Sequence, residues 1–280
     1  MHLGYFCMGG VYPFNIGGTS RVAYHLLREF DKRKLKLSFI FPVLKKNIPP
    51  DDDWHSYFDI SDGVTFYPII KDDFKMQFNY RTLRGPLELA NLSKKLNFDI
   101  VHYNLAPLKR DFLIPWISTL RNIPQIYTYH GRFWKEVDVV HSRISSPLLK
   151  MEFRIYMSFY DRIVVNSKDM LKNAELEGFN INKIEVIPNG VCIEEFENAK
   201  PIALDGNPVI LFVGRLEKIK GVHLLIKVFR KVSQNFPESR LHLVGDGSLK
   251  PSIKKTIISW DLTDKVILHG FVPDFILPKY

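Results

Sequence analysis

The stretch Val209-Ile-Leu-Phe-Val-Gly-Arg-Leu-Glu-Lys-Ile-Lys-Gly221 decides the fold class of this 280-residue chain. An apolar run, typical of a buried parallel strand, ends at Gly214-Arg215. Lys220-Gly221 follows five residues later, where a helical pattern begins. Open α/β sheets bind ligands at the carboxyl ends of their strands, and helix N-termini favour anions. The stretch therefore predicts a strand–turn–helix unit of a parallel sheet, with two cations at its ligand-binding edge.

Short apolar runs alternate with helical patterns on both sides of this stretch, as in parallel α/β sheets. Before it, the predicted strands are 3–8, 37–41, 64–67, 100–103, 125–129, 162–165 and 183–187, and the predicted helices are 20–29, 81–96, 107–121, 147–159 and 168–177. From it onward, predicted strands 209–213, 240–244 and 265–269 alternate with predicted helices 222–236 and 249–260. Because residues 194–208 are polar and end in Gly-Asn-Pro, we predict a linker there and two domains, 1–200 and 201–280.

The charge balance favours anionic partners. The chain has 39 lysines and arginines against 30 aspartates and glutamates, a net charge of +9. Nucleotides, phosphates and an anionic membrane surface all fit this excess. No nucleic-acid partner is predicted, because basic and aromatic residues are not interleaved in a recognisable motif.

Cysteine usage and hydropathy predict a cytoplasmic location. Cys7 and Cys192 lie beside apolar runs and are predicted to be buried free thiols, which suits a reducing compartment. We find neither a signal peptide nor an apolar run of about 18 residues. Peripheral attachment to the inner face of the cell membrane stays open.

Residues 45–62 are predicted as an irregular loop, because they hold Pro49-Pro50 and Asp51-Asp52-Asp53. An Asp-x-Asp pair can hold a divalent cation beside a nucleotide diphosphate. These aspartates, however, follow two prolines and no apolar strand precedes them. A solvated loop is therefore the favoured interpretation, and no metal site is predicted.

Two motifs in the first half follow predicted strands. Gly17-Gly18 precedes the first predicted helix, where backbone N–H groups can approach a phosphate, but a flexible loop with a glycine cap is an equal alternative. His130 ends the strand 125–129 and is followed by Gly131. It can donate a hydrogen bond to a sugar or phosphate, or polarise a reacting group, and a satisfied loop histidine is the alternative.

A further turn, Gly245-Asp246-Gly247-Ser248, follows the predicted strand 240–244. Its glycines can let the backbone approach a ligand. A plain strand-end turn in which Ser248 caps the next helix explains it equally well.

Taken in order, these motifs resemble glycosyltransferase family 4, retaining enzymes of the glycosyltransferase-B fold. The resemblance covers nearly the whole chain, and its order and spacing are specific. The segments that carry it are Asn15–Arg21, Tyr127–Gly131, Val164–Ser167, Val186–Val191, Phe212–Arg215 with Lys220-Gly221, Leu243–Gly247 and Leu268–Val272. It implies two Rossmann-like domains that face each other, an acceptor-side N-terminal domain and a nucleotide-sugar-binding C-terminal domain that is incomplete.

The resemblance also implies roles for individual residues. Arg215 and Lys220, beside Gly214, would bind the donor diphosphate and stabilise charge on the leaving group. Gly17 and Gly18 would let the backbone approach the same phosphates and the acceptor. His130 would contact the transferred sugar near its reacting carbon. The backbone at Phe271 and Val272 would lie near the nucleotide base, and neither a metal nor another cofactor is needed.

One part of the family pattern is missing. The family's Glu-x7-Glu motif, which holds the donor sugar and ribose, would lie beyond Tyr280. The pair Glu177 and Glu185 has this spacing but precedes Pro188, in the N-terminal half, so we do not assign it to the donor sugar. We therefore expect a chain that is truncated in its C-terminal domain.

Two functions follow from this expectation. The first is transfer of a sugar, with retention, from a nucleotide-diphosphate sugar to a saccharide, lipid-linked or other cell-envelope acceptor. The alternative is an inactive or split-enzyme fragment, acting as a binding protein or with a partner chain that supplies the missing part.

Overall fold

The computed structural model describes residues 1–7, 18–71, 94–104, 113–130, 147–273 and 275–280. By its internal contacts the chain divides into an N-terminal unit, Met1–Gly190, and a C-terminal unit, Val191–Tyr280. The N-terminal unit has two buried hydrophobic clusters and the C-terminal unit has one of its own.

The N-terminal unit is built on a seven-stranded sheet in which every pair of neighbours is parallel. Its strands are β1 (His2–Phe6), β2 (Lys36–Leu44), β3 (Val64–Lys71), β4 (Ile100–Asn104), β5 (Gln125–Tyr129), β6 (Arg162–Val165) and β7 (Ile184–Val186). Its helices are α1 (Gly18–Lys32), α2 (Trp54–Phe58), α3 (Leu113–Leu120), α4 (Pro147–Ser158) and α5 (Lys168–Leu176). The spatial order β3-β2-β1-β4-β5-β6-β7 reverses direction between β1 and β4. In doubly wound sheets such a reversal is the point where ligands bind.

Strand β1 shows why this sheet is buried on both faces. Leu3, Tyr5 and Cys7 pack into one cluster, whereas Phe6 packs into the other. Successive side chains of a strand point to opposite faces, so a strand covered on both sides needs a continuous apolar run. Its sequence, HLGYF, supplies that run.

The C-terminal unit has a smaller parallel sheet. Its strands are β8 (Val209–Val213), β9 (Arg240–Val244) and β10 (Val266–Gly270), in the order β10-β9-β8, and its helices are α6 (Ile193–Glu197), α7 (Val222–Asn235) and α8 (Lys250–Ser259). Leu241 and Leu243 of β9 pack with apolar residues of α7 and α8 in the core of this unit. Two parallel sheets with helices between their strands confirm the predicted α/β class.

Two local predictions were wrong for identifiable reasons, and strand β3 also continues to Lys71, past its predicted end at residue 67. Strand β2 continues to Leu44 rather than ending at Phe41, although Pro42 lacks an N–H. β1 pairs with β2 only as far as Ile40, so Pro42 has a neighbouring strand on one side alone, β3. Its missing N–H is therefore tolerated. The predicted loop 45–62 contains helix α2, because the Asp53 side chain accepts a hydrogen bond from the N–H of Ser56 at 3.1 Å and caps it.

Other predicted elements are close to the observed ones or fall partly outside the described residues. Strands 125–129 and 162–165 agree with β5 and β6 to the residue. Most of the predicted helix 81–96 and residues 107–112 of the predicted helix 107–121 lie outside the described ranges. The predicted linker 194–208 contains most of the short helix α6.

Candidate functional site

The carboxyl edge of the N-terminal sheet brings Asn104 and His130 together. β4 ends at Asn104 and β5 at Tyr129, and the two strands are neighbours, with Asn104 opposite Thr128. His130 follows β5 directly. Its ring Nε2 lies 2.5 Å from Asn104 Oδ1, so the two side chains share a short hydrogen bond. Asn104 is fully buried and His130 is half-buried.

The histidines near this edge are uncharged at neutral pH. Burial lowers the pKa of His130 to about 4. His102, on β4, is buried deeper, and its Nε2 lies 2.7 Å from Thr128 Oγ1. Burial, and to a smaller extent the nearby His130, lower the pKa of His102 to about 4. Desolvation disfavours the protonated form of both rings, so this edge offers neutral hydrogen-bonding groups.

The sequence did not single out Asn104. The available signal was a polar residue at the end of the apolar run Ile100-Val-His-Tyr-Asn104. Its significance depends on the pairing of β4 with β5, which places the ends of two sequence-distant strands side by side.

The N-terminus of helix α1 is a second feature of this unit. Gly17 lies outside the described residues, and Gly18 is the first residue of α1. A Cβ atom at Gly18 would meet no atom within 4 Å. Ser20, one turn into the helix, is buried, and its hydroxyl has no hydrogen-bond partner among the described residues. Helix N-termini carry unsatisfied N–H groups and favour anions, so an anionic ligand is compatible with this end of α1.

Glu177 and Glu185 do not form a carboxylate pair. Glu177 is buried, and its Oε2 accepts a hydrogen bond from the hydroxyl of Tyr129 at 3.1 Å. Glu185 is exposed on β7. The buried glutamate therefore has a structural partner inside the N-terminal unit.

At the carboxyl edge of the C-terminal sheet, three loops are joined through their backbones. The N–H of Gly214 donates to Val244 at 2.9 Å, that of Leu216 to Asp246 at 2.9 Å, and that of Gly245 to Gly270 at 2.7 Å. These bonds tie the ends of β8, β9 and β10 to one another. The loop that carries Arg215 is therefore held in place by its neighbours.

Glycine is required where these loops touch. A Cβ atom at Gly245 would overlap the carbonyl oxygen of Gly214, and the φ of Gly245 is +136°. A Cβ atom at Gly247 would lie 2.6 Å from the carbonyl oxygen of Leu216. Gly245 and Gly247 thus allow the loop after β9 to pack closely against the loop after β8.

Arg215 and Lys220 are available to an anion at this edge. Both side chains are exposed, and neither forms an ion pair within the part of the chain that the structure describes. Lys220 ends a short 3-10 turn, Lys218–Lys220, and Gly221 follows with a φ of +69° as the N-cap of α7. Two cations thus lie beside strand and helix ends that already favour anions.

The acidic groups nearby have other partners. The Glu217 carboxylate accepts hydrogen bonds from the Ser248 N–H at 2.8 Å and the Ser248 hydroxyl at 2.6 Å, which lower its pKa. Asp246 forms an ion pair with Lys250. The alternative in which Ser248 caps the next helix is not observed, because Leu249 is the N-cap of α8 and the Ser248 hydroxyl donates to Glu217 instead.

Phe271 and Val272 follow β10 at the same edge. Phe271 is 52% exposed and Val272 is half-buried. Gly270, directly before them, is held by the hydrogen bond from Gly245. An exposed aromatic ring beside the loop of Gly245 offers a flat apolar surface to a planar ligand.

The surroundings of Cys7 match its predicted burial, those of Cys192 do not, and Asp52 has a structural partner. Cys7 and Cys192 are both free thiols; burial raises the pKa of Cys7 to about 12, whereas Cys192 is half-buried rather than buried. Asp52 accepts a hydrogen bond from the indole N–H of Trp54 at 2.6 Å. In the described ranges, no group of three or more His, Cys, Asp or Glu side chains could hold a metal ion, and no helix is long and apolar enough to cross a membrane.

Comparison with known families gives two matches that together cover most of the chain. The model described as Glycosyltransferase Family 4 matches residues 16–195. The model described as Glycosyl transferases group 1 matches residues 194–280.

Curated relatives are glycosyltransferases of more than one specificity. Alpha-D-kanosaminyltransferase of Streptomyces kanamyceticus is 31% identical over 179 residues, which cover 58% of this chain and 45% of the relative. Phosphatidyl-myo-inositol mannosyltransferase of Mycobacterium tuberculosis is 32% identical over 172 residues, which cover 58% of this chain and 42% of the relative. The matched region thus spans less than half the length of these relatives.

Solved structures share the fold. Anabaena HepE in complex with UDP-glucose superposes with a TM-score of 0.65 at 14% identity, covering all of this chain and 71% of that one. S. aureus TarM superposes with a TM-score of 0.66 at 13% identity, covering 96% of this chain and 77% of that one. At such identities the likeness concerns the fold alone.

Proposed function

The chain belongs to glycosyltransferase family 4, and on that premise we propose that it transfers a sugar from a nucleotide-diphosphate donor to an acceptor, with retention of configuration. The observation that carries the proposal is the pair Arg215 and Lys220, exposed and without ion pairs among the described residues, at the strand ends of the C-terminal sheet. A nucleotide diphosphate is an anion of the size and charge that such a pair suits.

Arg215 and Lys220 are proposed to bind the donor diphosphate and to stabilise the leaving group. When the glycosidic bond to the diphosphate breaks, negative charge develops on the phosphate oxygens. Cations that are fixed before the reaction lower the barrier because they need no reorganisation as the charge forms. The backbone bonds at Gly214 and Leu216 hold in place the backbone that carries Arg215.

The remaining assignments follow the same chemistry. The backbone at Phe271 and Val272 is proposed to lie beside the nucleotide base, since Phe271 offers an exposed ring. Gly18, the first residue of α1, and Gly17, which precedes it in the sequence, are proposed to approach phosphate or acceptor groups. His130 is proposed to contact the transferred sugar with its uncharged ring. No metal or cofactor is part of the proposal.

The donor and acceptor classes are supported by the relatives. HepE was solved with UDP-glucose, which is a nucleotide-diphosphate sugar. The mycobacterial relative is named for transfer to phosphatidyl-myo-inositol, a lipid acceptor. We propose a saccharide or lipid-linked acceptor of the cell envelope, and peripheral contact with an anionic membrane, which the net charge of +9 favours.

A donor panel tests the proposal. The purified chain is incubated with UDP-, GDP- and ADP-linked sugars, and release of the nucleotide diphosphate is measured with and without envelope lipid extracts. We expect turnover with at least one donor, and a loss of about 100-fold in kcat/KM for Arg215→Ala or Lys220→Ala, in line with the removal of a transition-state charge partner.

Lys227→Ala is the matched control, because it removes one exposed positive charge from α7 of the same unit. It should leave kcat/KM within about twofold of the unmodified chain. Absence of turnover and of binding across the whole donor panel would contradict the proposed function.

A further inference from the structure

The hydrogen bond between His130 and Asn104 has a defined direction. With the Asn104 amide oriented so that Oδ1 faces the ring, that oxygen can only accept, and the His130 Nε2 that lies 2.5 Å away carries a proton. Because burial keeps the ring uncharged at neutral pH, the other nitrogen, Nδ1, then has a lone pair. Among the described residues, Nδ1 makes no hydrogen bond. The ring therefore offers an acceptor to whatever approaches Nδ1.

Asn104 is suited to hold this arrangement. Its side chain is fully buried at the end of β4, next to the strand that His130 follows. A buried side chain on a strand has little freedom to move, so the amide stays beside the His130 ring. Asn104 ends β4, which borders the reversal of strand order between β1 and β4, where open α/β sheets bind ligands.

His102, on β4, differs from His130 in the kind of hydrogen-bond partner that it has. His102 Nε2 lies 2.7 Å from the hydroxyl of Thr128. A hydroxyl can donate or accept, so Thr128 is compatible with either tautomer of His102. Of these two histidines, His130 is the one whose partner selects a tautomer.

We propose that Asn104 is a positioning residue that holds His130 in the tautomer with its proton on Nε2, so that Nδ1 accepts a hydrogen bond from a hydroxyl of the sugar. The inference rests on the proposed function, in which His130 contacts the transferred sugar. A sugar hydroxyl can donate to Nδ1, whereas a fully ionised phosphate has only acceptor oxygens and is repelled by the lone pair. His130 Nδ1 is thereby assigned to a hydroxyl and not to a phosphate.

Nitrogen NMR of the histidine-labelled chain tests the tautomer directly, without any need for turnover. At pH 7 we expect His130 to show a protonated Nε2 and an unprotonated Nδ1. In Asn104→Leu, which keeps a similar volume but removes the acceptor, the signals should shift toward a mixture of tautomers. Asn104→Asp keeps an acceptor oxygen and should keep the tautomer. A proton on Nδ1 in the unmodified chain, or an unchanged tautomer in Asn104→Leu, would overturn the proposal.

Kinetics separate positioning from a general effect on folding. We expect Asn104→Leu to lower kcat about tenfold, as for the loss of one aligned hydrogen bond, and Asn104→Asp to recover part of that loss. Thr128→Val, which removes the buried partner of His102, is the matched control and should leave kcat within about twofold.

A double-mutant cycle with His130→Ala completes the test. If Asn104 acts through His130, adding Asn104→Leu to His130→Ala should change kcat by less than about twofold. An undiminished tenfold loss in that background would contradict a positioning role. If the unmodified chain turns over no donor, the proposed function fails on its own assay, and the NMR result still decides whether Asn104 sets the tautomer.

Discussion

The carboxyl edges of the two sheets present different chemistry. In the N-terminal unit, the edge holds the buried Asn104 and the half-buried, uncharged His130. In the C-terminal unit, the edge holds Arg215 and Lys220, both exposed, on loops that are joined by backbone hydrogen bonds. Buried neutral groups discriminate by hydrogen-bond direction, whereas exposed cations attract by charge. In the proposed function, His130 would meet a sugar hydroxyl in one unit, and Arg215 and Lys220 would meet the diphosphate in the other.

The largest expected effect comes from breaking the contact between the loops of the C-terminal edge. Gly245→Val would place a side chain against the carbonyl of Gly214, at a φ of +136° that side chains rarely adopt. We expect a loss of about 4 kcal/mol of stability in this unit, from steric overlap and backbone strain together. Hydrogen exchange of the Gly214 and Leu216 amides measures it. Gly190→Ala, where a Cβ atom would meet nothing within 4 Å, is the control and should leave that exchange unchanged.

The second effect is a loss of stability of the N-terminal unit at acidic pH. The pKa of His102 is about 4 in the folded chain against an ordinary value of 6.5, so between these values the unfolded chain binds the extra proton. Stability should therefore fall as the pH drops from about 6.5 toward 4, by up to about 3 kcal/mol for this residue. Urea unfolding between pH 7 and 5 detects the onset before most carboxylates titrate.

His102→Gln supplies the comparison for this pH dependence. Glutamine cannot titrate, so the decline between pH 7 and 5 should become shallower. An identical decline in both proteins would show that His102 is not the group responsible.

The third effect is a difference in salt dependence between the two sheet edges. Exposed cations are screened by ions, whereas buried neutral hydrogen bonds are not. We expect binding of a nucleoside diphosphate to weaken about tenfold between 50 mM and 500 mM salt, as for partly exposed charge pairs. The tautomer of His130 should stay the same over this range. Calorimetry measures the affinity for the diphosphate, and NMR measures the tautomer. Diphosphate binding that does not depend on salt would contradict the electrostatic difference between the edges.

The smallest effect comes from removing a negative charge, that of Glu217, rather than a positive one. Glu217 lies two residues from Arg215 and is tied to Ser248. Glu217→Gln removes a negative charge next to the proposed phosphate site and should tighten nucleoside diphosphate binding about twofold. Glu185→Gln, an exposed carboxylate on β7 of the other unit, should leave the affinity unchanged.

Much of the fold was predictable because parallel strands read as apolar runs. β5 and β6 were predicted to the residue, and the class of both sheets is confirmed. The errors arose where context overrides local signals. The predicted strand 37–41 stopped before Pro42, yet the strand continues to Leu44, and the missing N–H of Pro42 is tolerated because β1 does not pair with it. Helix α2 depends on a cap by Asp53 inside a segment whose composition suggested a loop.

The candidate site was only partly predictable. Arg215, Lys220 and His130 could be singled out because each follows a strand, and their roles stay predictions. Asn104 could not, since its importance comes from a hydrogen bond across two strands that are distant in sequence. The sequence also could not show that Glu217 and Asp246 have other partners while Arg215 and Lys220 form no ion pair in the described ranges.

Chemical-shift mapping tests the central claim most directly. The nitrogen-labelled chain is titrated with UDP and, separately, with GDP, and the backbone amides are followed. We predict that the diphosphate shifts the amides of Gly214, Arg215, Lys220 and Gly221, and that the Arg215→Ala, Lys220→Ala double variant loses these shifts. Saturable shifts confined to other residues, or shifts that persist in the double variant, would contradict a diphosphate site at the C-terminal edge.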